Sequence, residues 1–397
     1  MKKPILFVAA GLAQAPAIRE AREAGYFTVA MDASPTAPGF AEADRVIIGD
    51  ILDSAEIVKA ARETGAEAIL SVCCDVAMEA VAAACEELSL PGIPRDVVRT
   101  SRNKLLQRQA MDAAGLPVPL FRAVKTEAET FSAWDEFAVD AVVVKPVDSS
   151  GSRGVSFVNE RGNLPAALDL ALSASPSRTA LVESFEPGVE YSVEAWVVGD
   201  SIYVLATSVK KRTSPPYLLD REVHFPDDLS EADHRTLLDH ARKTIRACGF
   251  RDCPVHLECL WTPRGPIVVE LAARGAGFKV FTEILPRITG ISTAAASLNC
   301  AFGLEPDLTA RQALSAASLV FVDPVPGEFI EAEGLDAARA LPGVVEIAIY
   351  PKPGQRMHPL RSGSDRAGHI LAYGPDPVTC TSTAQAARDS IHLIVRS

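Results

Sequence analysis

The sequence lacks several features that would assign a compartment or a partner. Its eight cysteines form no CxxC pair, which argues against a zinc ribbon or a thioredoxin-type centre. No apolar run has the length of a transmembrane helix. Acidic residues outnumber basic ones by 51 to 39, and the net charge is −12. This charge argues against a nucleic-acid surface and a basic membrane patch. We therefore expect neither nucleic acid nor membrane as a partner.

Two familiar nucleotide motifs are also missing. No GK[ST] sequence opens a helix, so there is no Walker A loop. The turn after ILFVAAG carries Gly11 alone and lacks GxGxxG. Asp32 ends the second predicted strand, where a ribose contact lies in dinucleotide-binding folds. Without the glycines, a loop or helix-capping aspartate is the alternative interpretation. No Ser or Cys triad stands out either, so a covalent nucleophile on the protein is not expected.

The cysteines and the N-terminus bear on location. The cysteines lie mostly in apolar periodic segments and are interpreted as buried thiols in a reducing compartment, which predicts a cytoplasmic protein. The start, MKKPILFVAAGLAQA, resembles a signal peptide cleaved after Ala15. Its apolar run is short, however, and PILFVAAG followed by a helical pattern is typical of a first strand, turn and helix. We favour that interpretation.

What is present indicates several structural units. With 397 residues, 48% of them hydrophobic, the chain exceeds one ordinary core and suggests two to four units. Residues 1 to about 90 alternate strands and helices, which predicts a parallel sheet of Rossmann type. Residues 95–114 are predicted to form two helices, with Lys104 starting the second. Gly115 and the prolines after it place a boundary near residues 116–120. The tail, 315–397, is predicted as strands and a closing helix over residues 383–394.

The stretch His256–Gly277 is predicted to be a β-hairpin around Thr262-Pro263-Arg264-Gly265. The turn residues favour a three-residue loop with a bulge. That register pairs Thr262 with Pro266, Leu260 with Val268 and Glu258 with Glu270. Carboxylates that face each other across a ladder repel one another. A divalent cation between them reverses this effect, so the hairpin predicts a metal site; a hairpin with two solvated surface glutamates is the alternative.

Three further segments contain candidate site residues. A buried strand ends at Lys145, and a loop of small, hydroxylated and glycine residues, Pro146–Val155, follows it. Such a loop can fold over phosphates, or it can be a flexible surface turn. Glu183 and Glu190 flank a Pro-Gly turn. They are interpreted either as residues that contact a nucleotide or as surface acids beside the turn. The Pro-rich stretch over residues 213–230, with His224, is long enough for a lid or substrate loop.

In this order the segments resemble the ATP-grasp superfamily across the full chain. The matching stretches are AIREAREAGY and ADRVIIGDILD, NKLLQRQAMDAAGLPVP, VVVKPVDSSGSRGV, VESFEPGVEYSVE, and HLECLW with VVELAARGAGF. TSPPYLLDREVHFP and IYPKPGQRMHPLRSGSDRAGHILAYG are similar to the substrate loop and C-terminal domain of carboxylate–amine ligases that make dipeptides, such as L-amino acid ligases.

The resemblance implies an α/β and α+β multidomain fold. We expect an N-terminal Rossmann-like domain (1–115), two ATP-grasp subdomains (116–190, the lid, and 191–310) and a C-terminal α+β domain (311–397). It also implies site roles. Lys104 and Lys145 would hold the ATP phosphates under a lid that contains Ser149, Ser150, Gly151 and Ser152. The adenine would contact Glu183, Ser184, Phe185 and Glu186, and the ribose would contact Glu190. Glu258 and Glu270 would hold Mg²⁺ or Mn²⁺, while Arg274 would stabilise an acyl phosphate, with His224 near the same oxyanion.

The implied reaction joins a small carboxylate, such as an amino acid, to an amine with cleavage of ATP, and the implied assembly is a homodimer. One position departs from the pattern, because many members have an asparagine ligand where this chain has Ala272. This leaves a second metal open. Two alternatives remain: a carboxylase-type or kinase-type ATP-grasp enzyme, and a non-catalytic nucleotide-binding module.

Overall fold

A computed structural model describes residues 2–311 and 314–396 and contains four β-sheets. Met1, which begins the first predicted domain, and Ser397, which ends the last, lie outside the described residues. The α/β and α+β character expected from the sequence is confirmed by a parallel sheet near the N-terminus and antiparallel sheets after it. In the described part of the chain, no helix combines the length and apolarity needed to cross a membrane.

The first 90 residues form the predicted parallel sheet. In chain order the elements are β1 Pro4–Val8, α1 Ala15–Glu23, β2 Phe27–Asp32, a 3₁₀ turn Pro38–Glu42, β3 Arg45–Ile48, α2 Ser54–Thr64, β4 Ala68–Leu70 and α3 Met78–Leu88. The sheet order is β3-β2-β1-β4. Asp32 accepts hydrogen bonds from the backbone N–H groups of Ala10 and Ser34, at 2.8 and 2.9 Å. It therefore braces the loops at the end of β1 and β2, as the alternative interpretation expected.

A helical pair and a small antiparallel sheet follow. These elements are α4 Arg95–Ser101, α5 Lys104–Ala113, β5 Phe121–Val124, α6 Glu127–Phe137, β6 Val142–Pro146, β7 Ser156–Val158, a 3₁₀ turn Arg161–Asn163, α7 Leu164–Ala174 and β8 Ala180–Ser184. Lys104 begins α5, as predicted, because the Asn103 side chain caps the free N–H groups of Leu105 and Leu106. The sheet order is β5-β8-β6-β7, which puts Lys145 and Glu183 on neighbouring strands.

The largest sheet has eight strands. Its first part contains β9 Val189–Val198, β10 Ser201–Arg212, β11 Asp220–Phe225, α8 Glu231–Ala247, β12 Cys253–Thr262 and β13 Gly265–Ala272, followed by a π-helix Val280–Ile284, α9 Leu285–Thr289 and α10 Thr293–Ala301. The prediction of one loop over residues 213–230 is wrong in part, since residues 220–225 form β11. Paired to β10 on one side and to a C-terminal strand on the other, this segment has its backbone hydrogen bonds satisfied within the sheet.

The C-terminal elements complete that sheet and add a smaller one. They are β14 Ala316–Val322, β15 Gly327–Glu333, α11 Leu335–Arg339, β16 Val344–Ile349, β17 Arg356–Met357, a 3₁₀ turn Gly363–Asp365, β18 Gly368–Gly374, α12 Pro377–Asp389 and β19 His392–Arg396. The predicted closing helix over 383–394 is wrong at its end. The chain leaves α12 after Asp389, and His392–Arg396 pairs with β15 instead.

The eight-stranded sheet, β13-β12-β9-β10-β11-β14-β18-β16, joins strands on both sides of the predicted division at residue 310. One hydrophobic core likewise contains Phe7 of β1, Phe281 of the π-helix and Phe321 of β14. The N-terminal, central and C-terminal parts of the chain therefore share one core. The divisions at 115, 190 and 310 stay predictions.

Candidate functional site

The first cavity, of about 150 Å³, lies between the small sheet and the β12–β13 hairpin. Every residue predicted to bind ATP lines it, and so do both predicted metal ligands. These are Lys104, Lys145, Ser149, Ser150, Gly151, Ser152, Glu183, Ser184, Phe185, Glu186, Glu190, Glu258 and Glu270. Residues from five separate stretches of the sequence therefore meet in one place.

Glu183 holds two cations at the floor of this cavity. Its carboxylate lies 2.7 Å from Lys145 Nζ and 2.7 Å from Arg108 Nε. All three side chains are buried, at 6% exposure or less. Burial lowers the pKa of Lys145 to about 8, although Glu183 acts in the opposite direction. Glu183 thus positions Lys145, and its carboxylate oxygens are engaged by cations.

The hairpin brings Glu258 and Glu270 together by a register that differs from the predicted one. Thr262 pairs with Gly265, and Cys259 with Val268, so the connection is one residue shorter than expected. An irregularity between Glu258 and Cys259 leaves Val269 unpaired and restores the pairing of Glu258 with Glu270. The predicted turn is wrong, but the two carboxylates do occupy facing positions because the bulge compensates for the shorter turn.

Three carboxylates converge beside Lys210. Oxygen atoms of Glu190, Asp220 and Glu258 lie within 4.8 Å of one another. The Lys210 ammonium lies 2.8 Å from Glu190 and 3.4 Å from Asp220, and it contacts Glu258. Burial lowers the pKa of Lys210, but the three carboxylates outweigh this and raise it well above its ordinary value. An oxygen-only donor set of this kind suits Mg²⁺, so these residues fit the implied metal.

The second facing glutamate belongs to a different ion pair. Lys104 Nζ lies 2.7 Å from Glu270 Oε2 and donates to the backbone oxygen of Ser149, also at 2.7 Å. Lys104 therefore joins the hairpin to the predicted lid loop. Gly151, Ser152 and Gly154 in that loop have positive φ angles, which turn the chain tightly above the cavity.

A second cavity, of about 240 Å³, adjoins the first and shares Gly151, Ser152, Asp220, Glu258 and Glu270 with it. Arg274 and His256 line it as well. Arg274 Nε lies 2.6 Å from Asp75, and that ion pair outweighs burial and raises the Arg274 pKa.

His256 lies between two carboxylates of the second cavity. Its Nδ1 is 2.6 Å from Glu194 and its Nε2 is 3.3 Å from Glu258. Burial lowers the pKa of His256, but the two glutamates raise it to about 10 overall. The imidazole is therefore a cation in this cavity at neutral pH.

His224 lies away from the other predicted residues and lines neither cavity. Strand periodicity explains this, because Val223 and Phe225 of β11 line the second cavity while His224 points to the opposite face. Its ring lies 2.9 Å from both Ser318 and Glu222, and Arg388 of α12 also binds Glu222, at 2.7 Å. The structure thus places His224 in a buried network between β11 and α12, and does not place it at the predicted oxyanion.

Several site residues were missed by sequence analysis. They are Asp75, Arg108, Glu194, Lys210 and His256. Periodicity alone could have found His256, which lies two positions before Glu258 and so shares its sheet face. Arg108 and Asp75 depend on contacts between distant parts of the chain, with Glu183 and Arg274 respectively, and no local pattern reveals them.

Comparison with known families fits this geometry. The ATP-grasp domain family matches residues 138–282, which include Lys145, Glu183, Glu258, Glu270 and Arg274. The family of the L-amino acid ligase C-terminal domain 2 matches residues 319–396. The chain contains an ATP-grasp domain. The resemblance stated from the sequence is thereby confirmed, and residues of the two matched segments line the second cavity together.

Individual proteins are similar to this chain in sequence or in fold, at different levels of identity. The uncharacterized protein y4rH of Sinorhizobium fredii is 30% identical over 313 residues, 77% of this chain and 64% of that protein. The alanine–anticapsin ligase of Bacillus subtilis is 24% identical over 64% of this chain and 58% of that enzyme. The chain thus spans about three fifths of the length of these relatives. The crystal structure of L-amino acid ligase from Bacillus licheniformis superposes with a TM-score of 0.85 at 21% identity, covering 100% of this chain and 99% of that one, which shows a shared fold.

Proposed function

We propose that this protein is an ATP-dependent carboxylate–amine ligase that forms an amide through an acyl phosphate and releases ADP and phosphate. The observation that carries the proposal is the convergence of Lys104, Lys145, Glu258 and Glu270 on one cavity that opens into a second. Two ammonium groups and two facing carboxylates suit a magnesium triphosphate. The adjoining cavity supplies the place for the molecules to be joined.

ATP is proposed to occupy the first cavity. Lys145 and Lys104 then contact phosphate oxygens, and the Ser149–Ser152 loop covers them with hydroxyl and backbone N–H groups. The segment Ser184–Glu186 leads from β8 towards β9 and lines the same cavity, which supports a role beside the adenine. Since Glu183 is engaged by Arg108 and Lys145, its proposed task is to position Lys145.

Glu258 and Glu270 are the proposed Mg²⁺ ligands, with Glu190 and Asp220 close by. When bound, a divalent cation offsets the negative charge of the phosphates. Lys210 contacts Glu190 and Glu258. Although burial acts in the opposite direction, Lys210 and His256 lower the pKa of Glu258 and keep it ionised as an oxygen donor, whereas burial raises the pKa of Glu190. The side chain of Ala272 offers no donor atom, and Glu270 is the proposed ligand that shares its strand, β13.

The proposed reaction has two steps, phosphorylation of the carboxylate and attack by the amine. A substrate carboxylate oxygen attacks the γ-phosphorus of ATP, the bond to the β-phosphate oxygen breaks, and ADP leaves. An amine nitrogen then attacks the acyl carbon, phosphate leaves with the electrons of the C–O bond, and the amine loses a proton. Negative charge concentrates on the oxyanion in the second step, where Arg274 and the His256 cation line the cavity. Small carboxylates and amines, amino acids among them, are the proposed substrates.

The test uses hydroxylamine, which traps an acyl phosphate as a hydroxamate without a natural amine. Purified protein with Mg²⁺ and ATP is offered a panel of amino acids and other small carboxylates, and ADP and hydroxamate are measured. We expect both products with at least one carboxylate, and an amide when an amine replaces hydroxylamine. The Glu270→Gln variant should lose both products, whereas Glu231→Gln, an exposed acid on α8, should retain them.

ADP without hydroxamate would indicate phosphate transfer to another acceptor, such as bicarbonate or a hydroxyl group. ATP binding without ADP across the whole panel would identify a nucleotide-binding module and overturn the proposal. The homodimer and the cytoplasmic location stay predictions, and light scattering of the purified protein checks the first.

A further inference from the structure

Among the residues that the structure describes, one cationic side chain lining the second cavity is not bound to a carboxylate. Arg274 binds Asp75, Lys210 contacts three acids, and His256 lies between Glu194 and Glu258. Arg366 also lines this cavity, and it enters from the segment matched to the L-amino acid ligase C-terminal domain 2. It has no assigned role in the proposed chemistry.

The contacts of Arg366 leave part of its guanidinium available. Nη2 donates to the backbone oxygen of Asp220 at 2.7 Å. The guanidinium carbon lies 3.6 Å from the centre of the Phe321 ring and 5.7 Å from that of Phe278. Stacking on an aromatic face satisfies the planar face of a guanidinium and leaves its N–H edge for an acceptor. In the described structure the buried Nε has no hydrogen-bond partner.

An anion is the ligand that this arrangement lacks. A desolvated guanidinium without an anionic partner is costly, and its fork of N–H groups matches the geometry of a carboxylate. Arg366 lines the second cavity and not the first, so an ATP phosphate in the first cavity is not the anion it faces. The ligand is therefore one of the two molecules to be joined.

The chemistry distinguishes those two molecules. The donor carboxylate is consumed when it is phosphorylated, and it has to lie where the cavities meet, beside Glu258 and Glu270. An acceptor that is itself an amino acid keeps its α-carboxylate through both steps. Arg366, whose guanidinium contacts Asp220 at the edge of the shared region, is suited to this unreacted group.

We propose that Arg366 binds the α-carboxylate of the amine substrate and so selects amino acids over simple amines. This inference rests on the proposed ligase function and adds the acceptor class to it. The product then carries the same carboxylate as its C-terminus. Phe278 and Phe321 hold the guanidinium plane in place, and the apolar residues beside them, Leu319 and Val223, contact the acceptor side chain.

The donor carboxylate is the one identified by hydroxamate formation. The experiment then compares amino acids as acceptors with their α-amides, for example glycine with glycinamide and L-alanine with L-alaninamide. In the wild-type protein we expect kcat/KM for the acid to exceed that for the amide by about 10- to 100-fold, as for a charge-assisted hydrogen bond. Arg366→Ala should lower the value for the acid by a similar factor and leave that for the amide nearly unchanged. Arg366→Lys, which keeps the charge without the fork, should lie between them.

Hydroxamate formation is the internal control, because it needs donor and ATP but no amino acid acceptor. It should be unchanged in Arg366→Ala, and Arg361→Ala, an exposed arginine in the same segment, should match the wild-type protein in every assay. Equal losses for acids and amides, or a wild-type protein that uses both equally well, would overturn the inference while leaving the ligase intact. Absence of hydroxamate in the wild-type protein would instead overturn the ligase and, with it, this inference.

Discussion

Lys145 and Glu183 form an ion pair of 2.7 Å in which each side chain is 6% exposed. Arg108 binds the same carboxylate and also donates to the backbone oxygen of Val269, at 2.7 Å. One carboxylate therefore links the small sheet, α5 and the hairpin that carries Glu258 and Glu270. The Glu183 carboxylate therefore positions the floor of the cavity and also supplies the negative charge that two buried cations share.

Removing the charge of Glu183 should be costly for that reason. In Glu183→Gln two buried cations lose their shared counter-charge, and breaking a buried pair on one side typically costs about 3–5 kcal/mol. We expect a loss of that size in the free energy of unfolding from urea titration. Glu136→Gln removes the partner of Arg122 at an exposed pair in the same sheet region, where 56% of the glutamate side chain is accessible, and should cost less than about 1 kcal/mol. Similar losses in the two variants would contradict this ranking.

The lowered pKa of Lys145 predicts how ATP binding depends on pH. Lys145 is protonated below about pH 8 and loses its proton above it, because burial disfavours the charged form. The charged form is the one that attracts phosphate. Above pH 8 the apparent ATP affinity should therefore fall, by about tenfold at pH 9, and binding should take up a proton.

Calorimetry in buffers of different ionisation enthalpy measures both effects. Lys145→Arg keeps its charge throughout this range and serves as the matched variant, for which we expect a flat profile and no proton uptake. A wild-type affinity that stays constant from pH 7 to 9 would show that Lys145 is not the titrating contact.

Local sequence patterns were sufficient to predict the elements that depend on interactions between residues close together in the chain. Alternating strands and helices predicted the first sheet, and Lys104 was placed correctly because Asn103 caps α5. The hairpin was predicted, but its turn was not, since a bulge and a longer turn produce the same pairing of Glu258 with Glu270. The final strand, β19, was missed because its partner β15 lies about 60 residues earlier, and distant pairing overrides local propensity.

The site divides in the same way. Residues predicted from sequence motifs to bind ATP and the metal met in the first cavity, and Arg274 lines the adjoining one. Arg108, Asp75 and Arg366, in contrast, reach the site only through the packing of distant parts of the chain. His224 shows the opposite error. The orientation of a histidine in a loop cannot be predicted from the sequence. In a strand such as β11, side chains alternate between the two faces of the sheet, so the neighbours of His224 determine its orientation.

The position of His224 leads to a prediction of its own. His224→Asn should lower the free energy of unfolding by about 1–3 kcal/mol, because Ser318 and Glu222 lose buried hydrogen-bond partners. Hydroxamate formation should stay within about threefold of the wild-type rate, since the side chain points away from both cavities. His358→Asn, at an exposed histidine, should change neither property. A large loss of hydroxamate in His224→Asn at temperatures where the variant is folded would restore the catalytic role expected from the sequence.

Gly275 controls the position of Arg274 through the residue behind it. A Cβ at Gly275 would overlap the ring of Phe281, which is 2% exposed and stacks on Trp196 with ring centres 5.9 Å apart. The backbone oxygen of Gly275 accepts a hydrogen bond from Arg274 Nη1 at 2.8 Å. Gly275→Ala therefore moves either the aromatic pair or the carbonyl that holds the arginine.

We expect Gly275→Ala to cost about 1–3 kcal/mol of stability and to reduce hydroxamate formation by about 100-fold, because a displacement near 1 Å at a reacting group has that effect. ATP affinity should persist, since Lys104 and Lys145 lie in the other cavity. Gly277→Ala is the matched variant two positions later, where an added Cβ meets no atom within 4 Å, and it should behave as the wild-type protein. If Gly275→Ala kept its turnover, Arg274 would not depend on this close packing, and its proposed role at the oxyanion would lose its structural support.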